Sequence, residues 1–149
     1  MELPLQFETT RINIDIIKCR ILNLVELFMD TIPTVIPENG VLIVDLKWEI
    51  ENVSENGTGH DAANIRISID GGNTWSLLES EELPYNFTEA SGWEENNVQY
   101  RDNNSLSHLT SGWGGNSSGF QSDTVFDLSS YSGQTAIIRF AFGSDASVS

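Results

Sequence analysis

The stretch from Ala63 to Trp75 constrains this fold more than any other. Ala63-Asn64-Ile65-Arg66-Ile67-Ser68-Ile69 alternates apolar and polar side chains, the period of a strand with one buried face. Asp70-Gly71-Gly72 then interrupts the alternation. Two glycines supply the positive φ angles that primed hairpin turns need, and Asp70 can accept hydrogen bonds from the amides ahead of it. A returning strand is expected to open at Trp75. Asp70, Gly71, Gly72 and Trp75 are thus read as a structural turn, which marks a β protein and assigns no chemistry.

The same texture runs from Val41 onward. Val41–Ile50 is an apolar run that becomes alternating, with Leu46, Trp48 and Ile50 on one face and Lys47 and Glu49 on the other. Ser122–Leu128 and Thr135–Phe142 read as further strands, the second with Ile138, Phe140 and Phe142 sharing a face. Between them Ser129-Ser130-Tyr131-Ser132-Gly133 reads as a turn. Glu79-Ser80-Glu81-Glu82 reads as an acidic turn, and residues 84–119 as a long polar stretch of loops or short strands. Short strands with polar turns and no βαβ rhythm predict an all-β sandwich.

Residues 1–37 differ. They hold Arg11, Lys18 and Arg20 and lack glycine. Ile14, Ile17, Ile21, Leu24 and Phe28 recur at helical spacing, while Ile12, Ile14 and Ile16 alternate as in a strand. Pro33 and Pro37 close the segment. The expectation is an N-terminal extension over 1–37, helical or mixed, followed by the β domain over 38–149.

A net charge of −15, spread along the chain, argues against nucleic acid and anionic membrane surfaces as partners. No apolar run is long enough to span a bilayer as a helix, so no membrane insertion is expected. The N-terminus lacks the pattern of a signal peptide. Cys19 is the single cysteine, which rules out an intramolecular disulfide, and its apolar setting reads as a buried thiol.

Two resemblances stand on quoted residues. Ser68-x-Asp70-x-Gly72-x-Thr74-Trp75 is similar to the Asp box of sialidase-like propellers, a folding device at blade corners; it occurs once here, where a propeller repeats it. The broader resemblance covers residues 41–149. It joins the Trp48 strand and Ile67–Trp75 to Trp113-Gly114-Gly115-Asn116-Ser117-Ser118-Gly119-Phe120. Phe126-Asp127-Leu128-Ser129-Ser130-Tyr131-Ser132-Gly133-Gln134 and Ile138-Arg139-Phe140-Ala141-Phe142-Gly143-Ser144-Asp145 complete the set. This order resembles the MAM-like jelly-roll domain found beside immune-inhibitor-A-type (M6) metallopeptidases and in bacterial and archaeal surface proteins. The last strand of that family, with its Ile/Val-Asp-Asp sequence, is missing after Ser149.

The resemblance implies a jelly-roll sandwich serving as a non-catalytic binding, adhesion or accessory module at the cell surface. It implies a glycan or protein ligand and neighbouring domains of a larger chain. It also implies calcium, with Asp61 and Asp145 as the first ligands to test and Asp102-Asn103-Asn104 as another set of oxygen donors. Trp93 and Tyr100, aromatic rings in the polar half, are the ligand-binding candidates; Trp48, Trp75 and Trp113 read as packing. No His-Glu-x-x-His sequence is present, so a zincin site is excluded. Acid pairs such as Glu94-Glu95 occur, yet nothing singles out one pair for glycoside hydrolysis, and neither His60 nor His108 sits in a nucleophile context. A fragment of a glycan-active hydrolase and a structural spacer are the alternatives. Asn-x-Ser/Thr sequons fall at Asn52, Asn56, Asn86, Asn103 and Asn116, all near predicted turns.

Overall fold

The computed structural model of the chain describes residues 10–15, 27–50, 61–86 and 111–143. Its strands are β1 (Thr10–Asp15), β2 (Leu27–Asp30), β3 (Thr34–Val35), β4 (Val41–Lys47), β5 (Ala62–Ser68), β6 (Ser76–Leu77), β7 (Gln121–Asp127) and β8 (Thr135–Gly143). One 3-10 turn, Ser129–Tyr131, joins β7 to β8. The fold is all-β. No helix among the described residues is long and apolar enough to cross a membrane.

Two sheets form. The smaller runs β1-β4-β7, with β1 parallel and β7 antiparallel to β4. The larger runs β2-β8-β5-β6, with β3 also on β8. Alternation decides which residues face inward. Leu42, Val44 and Leu46 of β4 meet Ile65 and Ile67 of β5 and Ile138, Phe140 and Phe142 of β8 in one core. Each such side chain contributes about 1.5–3 kcal/mol on full burial. Phe126 closes the core from β7 and Trp48 and Trp113 cap its end.

The described residues of the N-terminal extension form strands, as the alternation of Ile12 and Ile14 reads, and not the helix read through Phe28. Residues 10–15 and 27–30 are strands, and β2 lies along β8 from Leu27↔Phe142 to Asp30↔Arg139. Isoleucine at alternate positions favours the pleated ladder over a helix, in which β-branched side chains lose rotamer freedom. Ile17, Ile21 and Leu24 lie outside the described residues. Thr31 extends the contact, donating its amide to the Ile138 carbonyl at 2.9 Å and accepting the Ile138 amide at Oγ1 at 3.0 Å.

Two further differences from the sequence reading are informative. All seven residues of β5 are buried, so the expected polar outward face is covered as well. There Arg66 Nε donates to Asn64 Oδ1 at 2.9 Å, and Asn64 Nδ2 donates to the Ser111 carbonyl at 2.9 Å. Asn64 and Arg66 are buried with hydrogen-bond partners, as burial requires, Arg66 Nη1 excepted. The second difference is a bulge. The register moves from Val44↔Thr124 to Leu46↔Gln121, with the extra residue on β7. Asp123 takes a left-handed φ of 56° there, and its amide donates to Asp45 Oδ1 at 2.8 Å.

Candidate functional site

The turn residues read from sequence do come together, in a longer connection than a two-residue hairpin. Ile67 pairs with Ser76, and the residues between them form a corner organised by Asp70. Gly71 and Gly72 hold φ of 76° and 93°, angles that cost a Cβ-bearing residue strain. Asp70 Oδ1 accepts the Thr74 amide at 2.8 Å and Oδ2 accepts the Thr74 hydroxyl at 2.6 Å. Ser68 Oγ donates to Asp70 Oδ1 at 2.8 Å and accepts the Gly72 amide at 2.8 Å. Trp75 folds under the corner, buried, with its Nε1 donating to the Gly72 carbonyl at 3.1 Å. The Arg139 guanidinium lies 4.0 Å from the Trp75 ring centre and forks onto Asp30 at 2.7 and 2.8 Å. The corner is thereby fastened to β8 and β2, a mechanical role.

This network sets a pH dependence. The Thr74 hydroxyl, then the Thr74 amide and the Ser68 hydroxyl, lower the Asp70 carboxyl from 3.8 to about 2. A lowered folded-state pKa means the carboxylate's contribution is complete above the ordinary value and is lost as pH falls through the folded one. The Gly72 and Thr74 amides should therefore stay protected from hydrogen exchange at pH 5 and lose protection on acidification towards pH 2, after correction for intrinsic exchange. Asp70→Asn should remove that acid-dependent step. Unchanged protection across the range would show that the carboxylate does not hold the corner.

A second group of residues, unassigned by sequence, builds an open cleft. Its construction starts with an aromatic stack: Trp113 lies on Trp48 with ring centres 5.3 Å apart, and Tyr85 tilts on Trp113 at 4.6 Å. Trp113 Nε1 donates to the Pro84 carbonyl at 3.2 Å. Asn86 and Gly114 exchange side-chain–backbone hydrogen bonds, each at 3.0 Å. The Tyr85 hydroxyl reaches the Leu78 carbonyl at 2.5 Å and accepts the Ile65 amide at 3.1 Å. Residues 78–86 are thus tied down at both ends, and the segment between them is held across from β7.

The cleft between that segment and β7 encloses about 760 Å³, within the size of ligand sites. Glu79, Ser80, Glu81 and Glu82 form one wall, and Val125 and Asp127 of β7 form the other. Glu82 Oε2 accepts the Val125 amide across the gap at 3.3 Å. Asp127 Oδ1 accepts the Ser129 amide at 2.8 Å; that amide, then the Ser129 hydroxyl, lowers its carboxyl below the usual range. Ser80 is 5% exposed, and its Oγ has no hydrogen-bond partner. Such a wall suits a cationic ligand, because carboxylates accept charge-assisted hydrogen bonds from ammonium and guanidinium groups.

Of the other residues singled out in the sequence, Asp61 is half-buried immediately before β5. Trp113 is packed, 2% exposed, as Gly114-Gly115 beside it suggested. Trp93, Tyr100, Asp145, Asp102-Asn103-Asn104, Glu94-Glu95, Cys19, His60 and His108 lie outside the described residues. Among the described residues no three His, Cys, Asp or Glu side chains gather as a metal site. Val125 and Asp127 carried no signal in sequence, since only the topology brings them opposite residues 79–82. No family model, curated protein or solved structure matches this chain.

Proposed function

We propose that the chain is a non-catalytic binding module of jelly-roll type, an accessory domain of a secreted or cell-surface protein similar to the MAM-like domains. Its carboxylate-lined cleft takes a cationic ligand. The observation that carries this reading is the pairing of Glu79, Glu81 and Glu82 with Asp127 across an open cleft. The aromatic stack that ties down residues 78–86 sets the three glutamates across from Asp127 of β7, so four exposed carboxylates line one cavity. The Asp70 corner, used up in tying β5 to β8 and β2, supports a structural role for the Asp-box sequence.

Calcium belongs to the same proposal. Ala62 pairs with Gly143, so Asp61 stands at the sheet end where β8 finishes, two residues before Asp145 in sequence. Thermal unfolding of the full chain tests both ideas in one series, in EGTA, in calcium and in spermine. A ligand that binds only the folded state, at a hundredfold excess over its Kd, stabilises by about 2.7 kcal/mol. Calcium is expected to raise the midpoint unless Asp61 is replaced by alanine. Spermine is expected to raise it unless Glu81 and Glu82 are replaced by glutamine. No shift with spermine would leave a structural spacer as the better reading, and no shift with calcium would remove the metal.

A further inference from the structure

One wall of the cleft is a sheet edge. β7 ends the order β1-β4-β7 among the described strands. Leu128 donates its amide to the Gly40 carbonyl at 2.9 Å. Antiparallel ladders alternate hydrogen-bonded and non-hydrogen-bonded pairs, so the bonded pairs continue as Leu42↔Phe126 and Val44↔Thr124. Val125 and Asp127, the alternate residues, therefore turn their amides and carbonyls away from β4, and both line the cleft. The Val125 amide meets a carboxylate of the opposite wall, Glu82, at 3.3 Å. Ser80 also lines the cleft, and its buried hydroxyl lacks a partner. A buried polar group without a hydrogen bond is costly and marks a place where something else can satisfy it.

We propose that this edge binds an extended peptide bearing basic side chains, added as a strand beside β7. The proposal rests on the cationic-ligand reading above and names its ligand. An added strand takes its main-chain hydrogen bonds from the edge and its selectivity from alternate side chains. Here the edge offers the backbone groups of Val125 and Asp127. The cleft offers carboxylates to every second side chain, which selects Lys or Arg by charge. Glu82 guards the edge in the free protein, as charged side chains commonly do. On binding, the peptide carbonyl replaces Glu82 on the Val125 amide, and the released carboxylate pairs with a basic side chain.

The test uses the full chain and fluorescence anisotropy with a labelled short peptide alternating Lys and Val. Two probes accompany it: the same peptide N-methylated on the amides of one edge, which keeps the charge but cannot pair, and spermine as a competitor. N-methylation is expected to weaken binding by about tenfold or more, since affinity in strand addition comes from main-chain bonds. Val125→Pro removes the edge amide at a position where a proline is tolerated; it should abolish peptide binding while the thermal midpoint holds. Should that variant fail to fold, Glu82→Gln keeps the edge and removes one carboxylate; it should weaken spermine more than it weakens the peptide, whose main-chain bonds remain, and an equal loss for both would overturn strand addition. Equal binding of the methylated and unmethylated peptides would overturn strand addition while leaving the cationic-ligand reading intact. Failure of both peptides and of spermine would overturn both readings, and undiminished binding to a folded Val125→Pro would place the site elsewhere.

Discussion

Replacing Trp113 by alanine is expected to destabilise the domain by about 3–5 kcal/mol, the usual cost of deleting a buried aromatic side chain. Trp113 is 2% exposed and holds three parts of the fold at once. Its ring covers Trp48 at the end of β4, its indole N–H binds the Pro84 carbonyl, and its backbone pairs with Ala63 in both directions, at 3.0 and 2.8 Å. The truncation leaves a cavity where β4, β5 and the segment before Asn86 meet, and it removes the support of Tyr85. Domains of this size are stable by only about 5–15 kcal/mol, so much of the folded population is at stake at physiological temperature. Urea unfolding followed by tryptophan fluorescence, with Trp113→Phe as the milder comparison, measures it. A loss under about 1 kcal/mol, the range of surface substitutions, would mean that the stack does not anchor the cleft.

Tyr85→Phe should cost about 1–3 kcal/mol, although it removes a single oxygen, because buried backbone groups are left without their partner. The hydroxyl has one proton, which goes to the nearer carbonyl, Leu78 at 2.5 Å, while its lone pair accepts the Ile65 amide at 3.1 Å. The Ile65 carbonyl is also within 3.2 Å. Phenylalanine keeps the ring on Trp113 and loses all of this. The same burial pushes the Tyr85 pKa well above its ordinary 10.0. A raised folded-state pKa means that the neutral phenol's contribution is complete below the unfolded value and fades as pH climbs above it. Wild-type stability should therefore fall above pH 10 with a component that Tyr85→Phe lacks. Identical alkaline profiles would contradict the assignment.

The legible part of this fold is the part governed by period two. The inward Ile65 and Ile67 of β5, the Asp70 corner with its two left-handed glycines, and the inward set Ile138, Phe140 and Phe142 all follow from local chemistry. Trp48 and Trp75 are buried as their positions implied. What sequence did not reveal depends on residues far apart meeting. Phe28 fits a helical wheel, yet it sits in a strand because β8 offers a ladder to pair with, whereas Ile12 and Ile14 alternate as the strand they form. Arg66 looked solvent-facing by alternation and is 1% exposed, since β5 is covered on both sides. The cleft was the least visible feature. Glu79-Ser80-Glu81-Glu82 reads locally as a turn, and nothing near it in the chain announces that Val125 and Asp127 lie across from it.

The most direct test of the account is an amide-resolved NMR titration of the full chain with the Lys/Val peptide. Binding at the cleft predicts saturable shifts confined to residues 79–85 and 122–128, with the Val125 and Asp127 amides moving most and gaining protection from exchange. Shifts scattered over acidic residues across the surface, or centred on the Asp70 corner, would contradict it.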